Sequence, residues 1–300
     1  MRADGGNLTL AIVVSYNGEQ YIEACISSLL DMEGCDVLVV DNHSTDRTLS
    51  ILQTFGKDIE LLSNVENLGF GQANNQGLRY ARDNAYEAVL LVNQDTVSTP
   101  TMLTGLRQTS LQYPDIGVLS PMHYSDGETL DVYFESYIRR ALDENRYYRD
   151  HHHLLLVQFV NAAFWYLPMA TIRRVGGFDP LFFLYGEDND YIHRLHHAGL
   201  SVVVNTSVKG YHLDRHSRQK VESPQDYERY FMVGLKNVND GWIKAVLKFG
   251  YDVVKVLIGS LRRGQVKEIR YLCIAVTRMM VKYPRIYRSR KQKGEFQYLD

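Results

Sequence analysis

Two groups of carboxylates stand out by position. Asp95 ends the triplet Asn93-Gln94-Asp95, directly after the apolar run LLV. A lone carboxylate at the mouth of a sheet suits a hard cation, because Mg²⁺ often takes only one or two protein carboxylates and completes its shell with substrate phosphates. It equally suits a strand-end turn. The second group is YGEDND, where Glu187, Asp188 and Asp190 crowd the start of a helical pattern. The helix macrodipole favours acids there, so one of them is expected to cap. Asp190 and Arg194 are spaced to pair on one helix face. Glu187 and Asp188 then remain in excess of what the helix needs.

Other candidates lie between these groups. Asp41 follows LVV and could accept a hydrogen bond from a pyrimidine ring N–H or a ribose hydroxyl; with Asn42, Ser44 and Asp46 beside it, a turn or helix cap fits as well. The segment NLGFGQANN (67–75) is a glycine-bearing loop opening a helix. Such a place permits close backbone approach and favours an anion, but it lacks the Lys-Ser/Thr of a P-loop. His212 is followed by Arg215, Ser217 and Arg218, which suit phosphate. His151–His153 could read as a metal tract; among aromatic and charged neighbours a solvated surface is preferred.

These residues need elements to hold them. Leu8–Ser15, Val37–Val40, Ile59–Leu62 and Ala88–Val92 are short apolar runs of strand length. Helical spacing separates them over Glu19–Leu30, from Ser44 or Asp46 through Phe55, and over Gly71–Asn84. The alternation predicts a doubly wound, parallel α/β sheet. Such sheets bind ligands at the carboxyl ends of their strands. Ser15-Tyr16-Asn17, Asp41-Asn42, the Asn64–Asn75 segment and Asn93-Gln94-Asp95 all follow apolar runs and should converge on one edge. Residues 122–155 are expected to be a variable loop region over the site. Val157–Leu167 is expected as one strand crossing back, 187–198 as a helix, and Val202–Val204 as a short strand. From Tyr227 onward the pattern is helical.

At 300 residues, with 45% hydrophobic and 23% charged residues, the chain is ordinary for a globular protein with a sizeable core. Three scattered cysteines exclude a disulfide framework or zinc cluster and fit a reducing compartment. The sequence shows no signal segment and no apolar stretch long enough to span a bilayer. The charge is divided: residues 242–300 carry 14 Lys/Arg against 4 Asp/Glu, while the overall net charge is -2. An acidic body with a basic tail points to an anionic partner, membrane headgroups or nucleic acid.

Taken together, VVSYN, VVDNHSTD, ENLGFGQANNQGL, LLVNQDT, VGGFDPLFFLYGEDNDYIHRLHHAGL and GYHLDRHS resemble glycosyltransferase family 2, in its rhamnosyltransferase-like bacterial branch, in order and approximate spacing from about Leu8 to Ser217. The resemblance implies a Rossmann-like glycosyltransferase A fold with a mostly parallel central sheet, in a catalytic domain over 1–225. Its nucleotide-binding half would span about 8–120 and its acceptor half about 121–225, with a basic helical extension over 226–300. It implies that Ser15, Tyr16 and Asn17 line the nucleotide pocket, Asp41 contacts the base with Asn42 nearby, and Asn67, Gly69, Phe70, Gly71 and Asn74 shape the floor under ribose and diphosphate. Asn93, Gln94 and Asp95 stand at the family's Asp-X-Asp motif, with Asn93 replacing the first acid. Asp95 and His212 would hold Mg²⁺ or Mn²⁺, Asp188 would be the catalytic base, and Glu187 stands beside it.

The expected reaction is inverting transfer from a nucleotide-sugar donor, dTDP-rhamnose or a UDP-hexose, to a glycan or lipid-linked glycan acceptor in cell-surface polysaccharide synthesis. The basic, aromatic tail reads either as a surface element on anionic lipid or as helices packed on the body; nothing in the body supports nucleic acid. A cytoplasmic enzyme, peripheral on the inner face of the plasma membrane, is the expected setting, and a homodimer is left open. Two other readings are a nucleotidyltransferase and a non-catalytic glycan-binding protein. The first should carry a Gly-rich, basic loop after the first strand, where SYNGEQ stands; the intact Asp95, Glu187 and Asp188 speak against the second.

Overall fold

A computed structural model describes residues 9–213, 223–292 and 294–299. The first half alternates as expected: β1 (Thr9–Ser15), α1 (Ile22–Leu30), β2 (Cys35–Asp41), α2 (Thr48–Thr54), β3 (Glu60–Ser63), α3 (Phe70–Asp83) and β4 (Ala88–Asn93). Then follow β5 (Thr96–Ser98), α4 (Met102–Gln112), β6 (Ile116–Asp126), β7 (Thr129–Leu130), α5 (Val132–Asp143), β8 (Tyr147–Tyr148), β9 (His151–Val157), β10 (Phe164–Pro168) and α6 (Met169–Val175). The described chain closes with α7 (Glu187–His197), β11 (Ser201–His212), α8 (Pro224–Lys236), α9 (Trp242–Arg262) and α10 (Val266–Lys291).

The strands form one sheet in the order β3-β2-β1-β4-β10-β6-β11-β9-β8, with β5 on β11 and β7 on β6. β3, β2, β1 and β4 run parallel. β10 lies antiparallel between β4 and β6, and β6 runs parallel to β11. Helices cover both faces of β1, β4 and most of β2, so these strands are apolar rather than alternating, whereas the edge strand β3 is largely exposed. Successive side chains of β1 enter opposite layers. Leu10 and Ile12 join Ala73, Leu78, Trp165 and Phe178 on one face, while Ala11 and Val13 join Ile22, Ile26, Leu29 and Leu106 on the other.

Three local expectations need correction. Residues 122–155 are not a loop region: β6 runs into them, and α5, β8 and β9 follow. Asp131 caps α5 by accepting from the Phe134 N–H at 2.7 Å, and Phe134, Ile138 and Ala141 bury one face. Val157–Leu167 is not one strand but the end of β9, a loop, and β10. The strand expected over Val202–Val204 extends through His212, because β11 breaks register against β6 between Asn205 and Lys209 and then pairs with β5.

The C-terminal helices form their own core, in which Phe182 of the body inserts among Tyr227, Phe231, Leu235, Leu272 and Met279. Lys236 is fully buried, 2.6 Å from Asp179 and 3.7 Å from Asp190. The last described residues return to the body. Gly177 N–H donates to the Gln297 carbonyl at 2.8 Å, Arg82 Nη1 donates to the Leu299 carbonyl at 3.0 Å, and Leu299 sits in the sheet's own core. The extension is therefore packed on the body along one side. Among the described residues no helix is long and apolar enough to cross a membrane.

Candidate functional site

The parallel register brings the strand-end residues to one level: Ser15 lies opposite Asp41, Val14 opposite Asn93, and Asp41 opposite Ser63. Asp41 is buried and held on three sides. Ser15 Oγ donates to its Oδ1 at 3.0 Å, Ser44 Oγ to the same atom at 2.6 Å, and Ser44 N–H to Oδ2 at 3.1 Å. Tyr16 is 45% exposed and is fixed through its backbone, whose N–H and C=O bind the Gln94 amide at 2.9 and 3.1 Å. Asn17 takes φ +48° and accepts from Thr45 N–H at 2.8 Å, so the loop after β1 is tied to the loop after β2.

The 67–75 segment is tied to the loops around it. Asn42 spends its amide on it, donating to Asn67 Oδ1 at 2.9 Å and accepting from Leu68 N–H at 2.9 Å. Gly69 has φ +80°, and a Cβ there would lie 1.9 Å from the Phe183 carbonyl oxygen. That carbonyl accepts from Phe70 N–H at 3.1 Å and so occupies the N-terminus of α3. A Cβ on Gly71 would lie 2.9 Å from the Phe178 Cβ, and Asn74 is buried with its amide on the Phe70 carbonyl. These glycines serve close packing against the 178–187 stretch, which in turn places the acidic start of α7 against the floor.

Asp95 and His212, 117 positions apart in sequence, meet because β5 pairs with the far end of β11, with Thr96 opposite His212. His212 Nε2 lies 3.2 Å from Asp95 Oδ2, and Nδ1 lies 3.4 Å from Asp131 Oδ2. Burial works against the imidazolium, but the carboxylates of Asp131 and Asp95 facing the ring override it and push His212 up to about 10. A histidine oriented from behind by a carboxylate, with its other nitrogen beside a second carboxylate, is a fitting donor pair for a divalent cation. Such a cation and the Nε2 proton would compete for the same gap. Among the described residues no three His, Cys, Asp or Glu side chains converge on one point, so the remaining positions would fall to water and phosphate. Asp131 was missed in the sequence; its signal was the helix cap ahead of Phe134, Ile138 and Ala141. Asn93 contributes backbone here, its N–H donating to the Ala163 carbonyl at 3.0 Å and its own carbonyl accepting from Thr96 Oγ1 at 2.8 Å.

Glu187 and Asp188 open α7 after Gly186, whose φ of +93° lets the chain turn where Val233 and Phe182 leave no room for a Cβ. Asp190 pairs with Arg194 at 2.9 Å, as its spacing foretold. Glu187 is buried, and its Oε2 has no hydrogen-bond partner. Burial, then the adjacent Asp188 charge, pushes Glu187 well above the usual carboxylate range. Asp188 is half-buried and accepts from Asn189 N–H at 2.7 Å and Asn189 Nδ2 at 2.9 Å; burial nevertheless raises it. A carboxylate poised upward in this way suits proton abstraction near neutrality.

Asp188 opens on a cavity of about 610 Å³ between α7, α8 and α9, lined also by Tyr137, Phe159, Tyr185, Arg229 and Lys248. Arg229 pairs with Asp226 and lies over the Tyr185 ring at 4.8 Å. Neither Asp95 nor His212 lines this cavity. Its walls come largely from α8 and α9, which no spacing in the sequence ties to Asp188. His151 pairs with Tyr113 at 2.5 Å, while His152 and His153 are exposed on β9. Arg215, Ser217 and Arg218 lie outside the described residues.

A family model described as glycosyl transferase family 2 matches residues 10–174. An uncharacterized glycosyltransferase of Haemophilus influenzae is 42% identical over 76 residues, 24% of each chain. An N-acetylglucosaminyl-diphospho-decaprenol L-rhamnosyltransferase of Mycobacterium tuberculosis is 24% identical over 267 residues, covering 79% of this chain and 87% of that one. The mannosyltransferase PcManGT of Pyrobaculum calidifontis, solved with GDP-Man and Mn²⁺, superposes with a TM-score of 0.56 at 17% identity, over 91% of this chain and 75% of that one. The architecture is thus the glycosyltransferase A fold, with a sheet whose first four strands are parallel.

Proposed function

Because the chain belongs to glycosyltransferase family 2, we propose that this enzyme performs inverting transfer of a sugar from a nucleoside-diphosphate donor to a hydroxyl of a glycan acceptor. The observation that carries the reading is a division of carboxylates. Asp95 pairs with His212 at the strand ends, whereas Asp188 faces a separate, aromatic-lined cavity.

The donor's nucleoside lies along the edge made by Ser15, Tyr16, Asn17 and Asp41. Asp41, already oriented by Ser15 and Ser44, meets the base or ribose. Asp95 and His212 would hold Mg²⁺ or Mn²⁺, which would supply neutralisation of charge on the departing diphosphate. Asp188 takes the proton of the acceptor hydroxyl. The new bond forms from that oxygen to the anomeric carbon as the old carbon–oxygen bond breaks, and its electron pair leaves with the nucleoside diphosphate. Attack from the Asp188 side, opposite the leaving group, inverts the centre. Burial raises Asp188 itself, and the Asp188 charge in turn helps raise Glu187 beside it.

The alignment along most of the Mycobacterium tuberculosis relative, a rhamnosyltransferase acting on a lipid-linked acceptor, supports rhamnose as the sugar and a lipid-linked glycan as acceptor; dTDP-rhamnose is the donor proposed, with UDP-hexoses next. An enzyme serving such an acceptor works peripherally at the inner face of the plasma membrane. Thermal shift against dTDP-, UDP- and GDP-sugars with Mn²⁺ is expected to single out one nucleotide. Transfer is expected to stop in EDTA and return with Mg²⁺ or Mn²⁺; full activity in chelator would remove the metal role of Asp95 and His212.

A further inference from the structure

α9 is 21 residues long, about 31 Å at 1.5 Å per residue. Its two sides differ completely. Ala245, Phe249 and Val253 pack into the core of the C-terminal helices. Asp252 and Phe249 line the cavity that holds Asp188. On the other side Ile243, Leu247, Tyr251, Val254, Ile258 and Leu261 are between 44% and 76% exposed. At 3.6 residues per turn all six fall within a sector of about 80°. Isolated exposed apolar residues need no explanation, but a continuous stripe along a whole helix does.

The edge of that stripe shows what covers it. Lys244, Lys255 and Arg262 follow one border at helical spacing and are exposed, and Lys248 on the same border turns toward the cavity. Lys244 also pairs with Asp240 at 2.6 Å. The single acid of α9, Asp252, lies on the opposite side against the cavity. A second copy of the chain would bring the same cations to the contact and no carboxylate from α9 to neutralise them. An anionic lipid surface meets both features: acyl chains take the stripe, and headgroup phosphates take the cations as their stems extend outward.

We propose that α9 is the membrane-docking element of this protein, lying in the plane of an anionic lipid surface with the Ile243–Leu261 stripe inserted. The cavity that Asp188 faces then sits one helix thickness above the lipid, with α9 itself as the wall between them. This placement deepens the proposed transfer to a lipid-linked acceptor and rests on it only for the acceptor's route. The docking itself is read without turnover.

The test uses the full chain, because residues 296–299 complete the body's core. Flotation is measured with vesicles of phosphatidylcholine alone and of phosphatidylcholine with phosphatidylglycerol. Wild-type protein should float with the anionic vesicles and remain in solution with the neutral ones. The combined variant Leu247→Gln, Val254→Gln and Ile258→Gln should lose tenfold or more of that partitioning. The charge-reversed pair Lys255→Glu and Arg262→Glu should lose a similar amount at low salt. Both variants should keep the wild-type circular dichroism and the wild-type rate of donor hydrolysis. Wild-type protein that fails to float, or variants that float equally, would overturn the proposal. So would a wild-type dimer by light scattering that becomes monomeric in the apolar variant, since the stripe would then be an interface between copies. Loss of flotation in the variants of a protein that transfers no sugar would leave the docking intact and sink only the proposed reaction.

Discussion

At the strand ends, nearly every polar group already has a partner within the scaffold. Ser15 and Ser44 hold Asp41, the Asn42 amide binds the 67–69 loop, and Gln94 brackets the Tyr16 backbone. Across the Gly69–Phe183 contact, the start of α7 is provisioned differently. Glu187 keeps an oxygen without a partner, and both of its carboxylates are raised by burial. The first region is a rigid edge whose hydrogen bonds are already set, which is what the proposed nucleotide site would need. The second stores unpaired polarity next to a cavity that α8 and α9 shape. The contrast separates binding, which wants fixed hydrogen bonds, from proton transfer, which wants a group held away from its ordinary acidity.

The largest effect that could break this contrast is at Asp188. Asp188→Asn is expected to lower transfer by about 10²–10⁴-fold, while donor affinity by calorimetry stays close to wild type. The raised acidity constants also fix the sign of the pH dependence. The base works deprotonated, so rate should rise with pH through a limb above the ordinary carboxylate range. A limb near the unperturbed value would show that burial does not act on the working base. An intermediate effect belongs to Asp131. Asp131→Asn keeps a residue able to cap α5 but removes the charge behind His212, and should weaken Mn²⁺ by about 10–100-fold in a titration of the rate. Unchanged Mn²⁺ dependence would detach Asp131 from the cation. The smallest effect is at Ser15. Ser15→Ala removes one of three donors to Asp41 and should cost about 1 kcal/mol of stability, raising the donor KM with little change in kcat. A fall in kcat equal to the fall in kcat/KM would mean that the strand-end edge takes part in the chemical step.

Legibility in the sequence followed the same division. The strand-end edge was readable because β1, β2 and β4 are unbroken apolar runs buried on both faces, and a polar residue following such a run has one place to be. Asp190 and Arg194 were readable because their pairing is local. The meeting of Asp95 with His212 came only through family resemblance. Physically it depends on β11 breaking register after Asn205 and continuing to β5, and no local propensity announces that. α5 was hidden because Phe134, Ile138 and Ala141 stand among tyrosines, arginines and acids that dilute the helical period. The cavity was unreadable for another reason: its far wall lies tens of residues beyond Asp188 and is set by packing of helices around Phe182.

The return of residues 296–299 to the sheet has a consequence for how this molecule assembles and melts. Arg82 and Leu299 are bonded across 217 positions, so the body's packing is finished by a segment that lies beyond the three C-terminal helices in the chain. Closing so long a loop costs entropy before any contact repays it, which makes the step late and slow. It also removes the boundary at which the helices could unfold alone. Hydrogen exchange in α8–α10 and in the parallel strands should therefore report one shared opening free energy, the signature of a single cooperative unit.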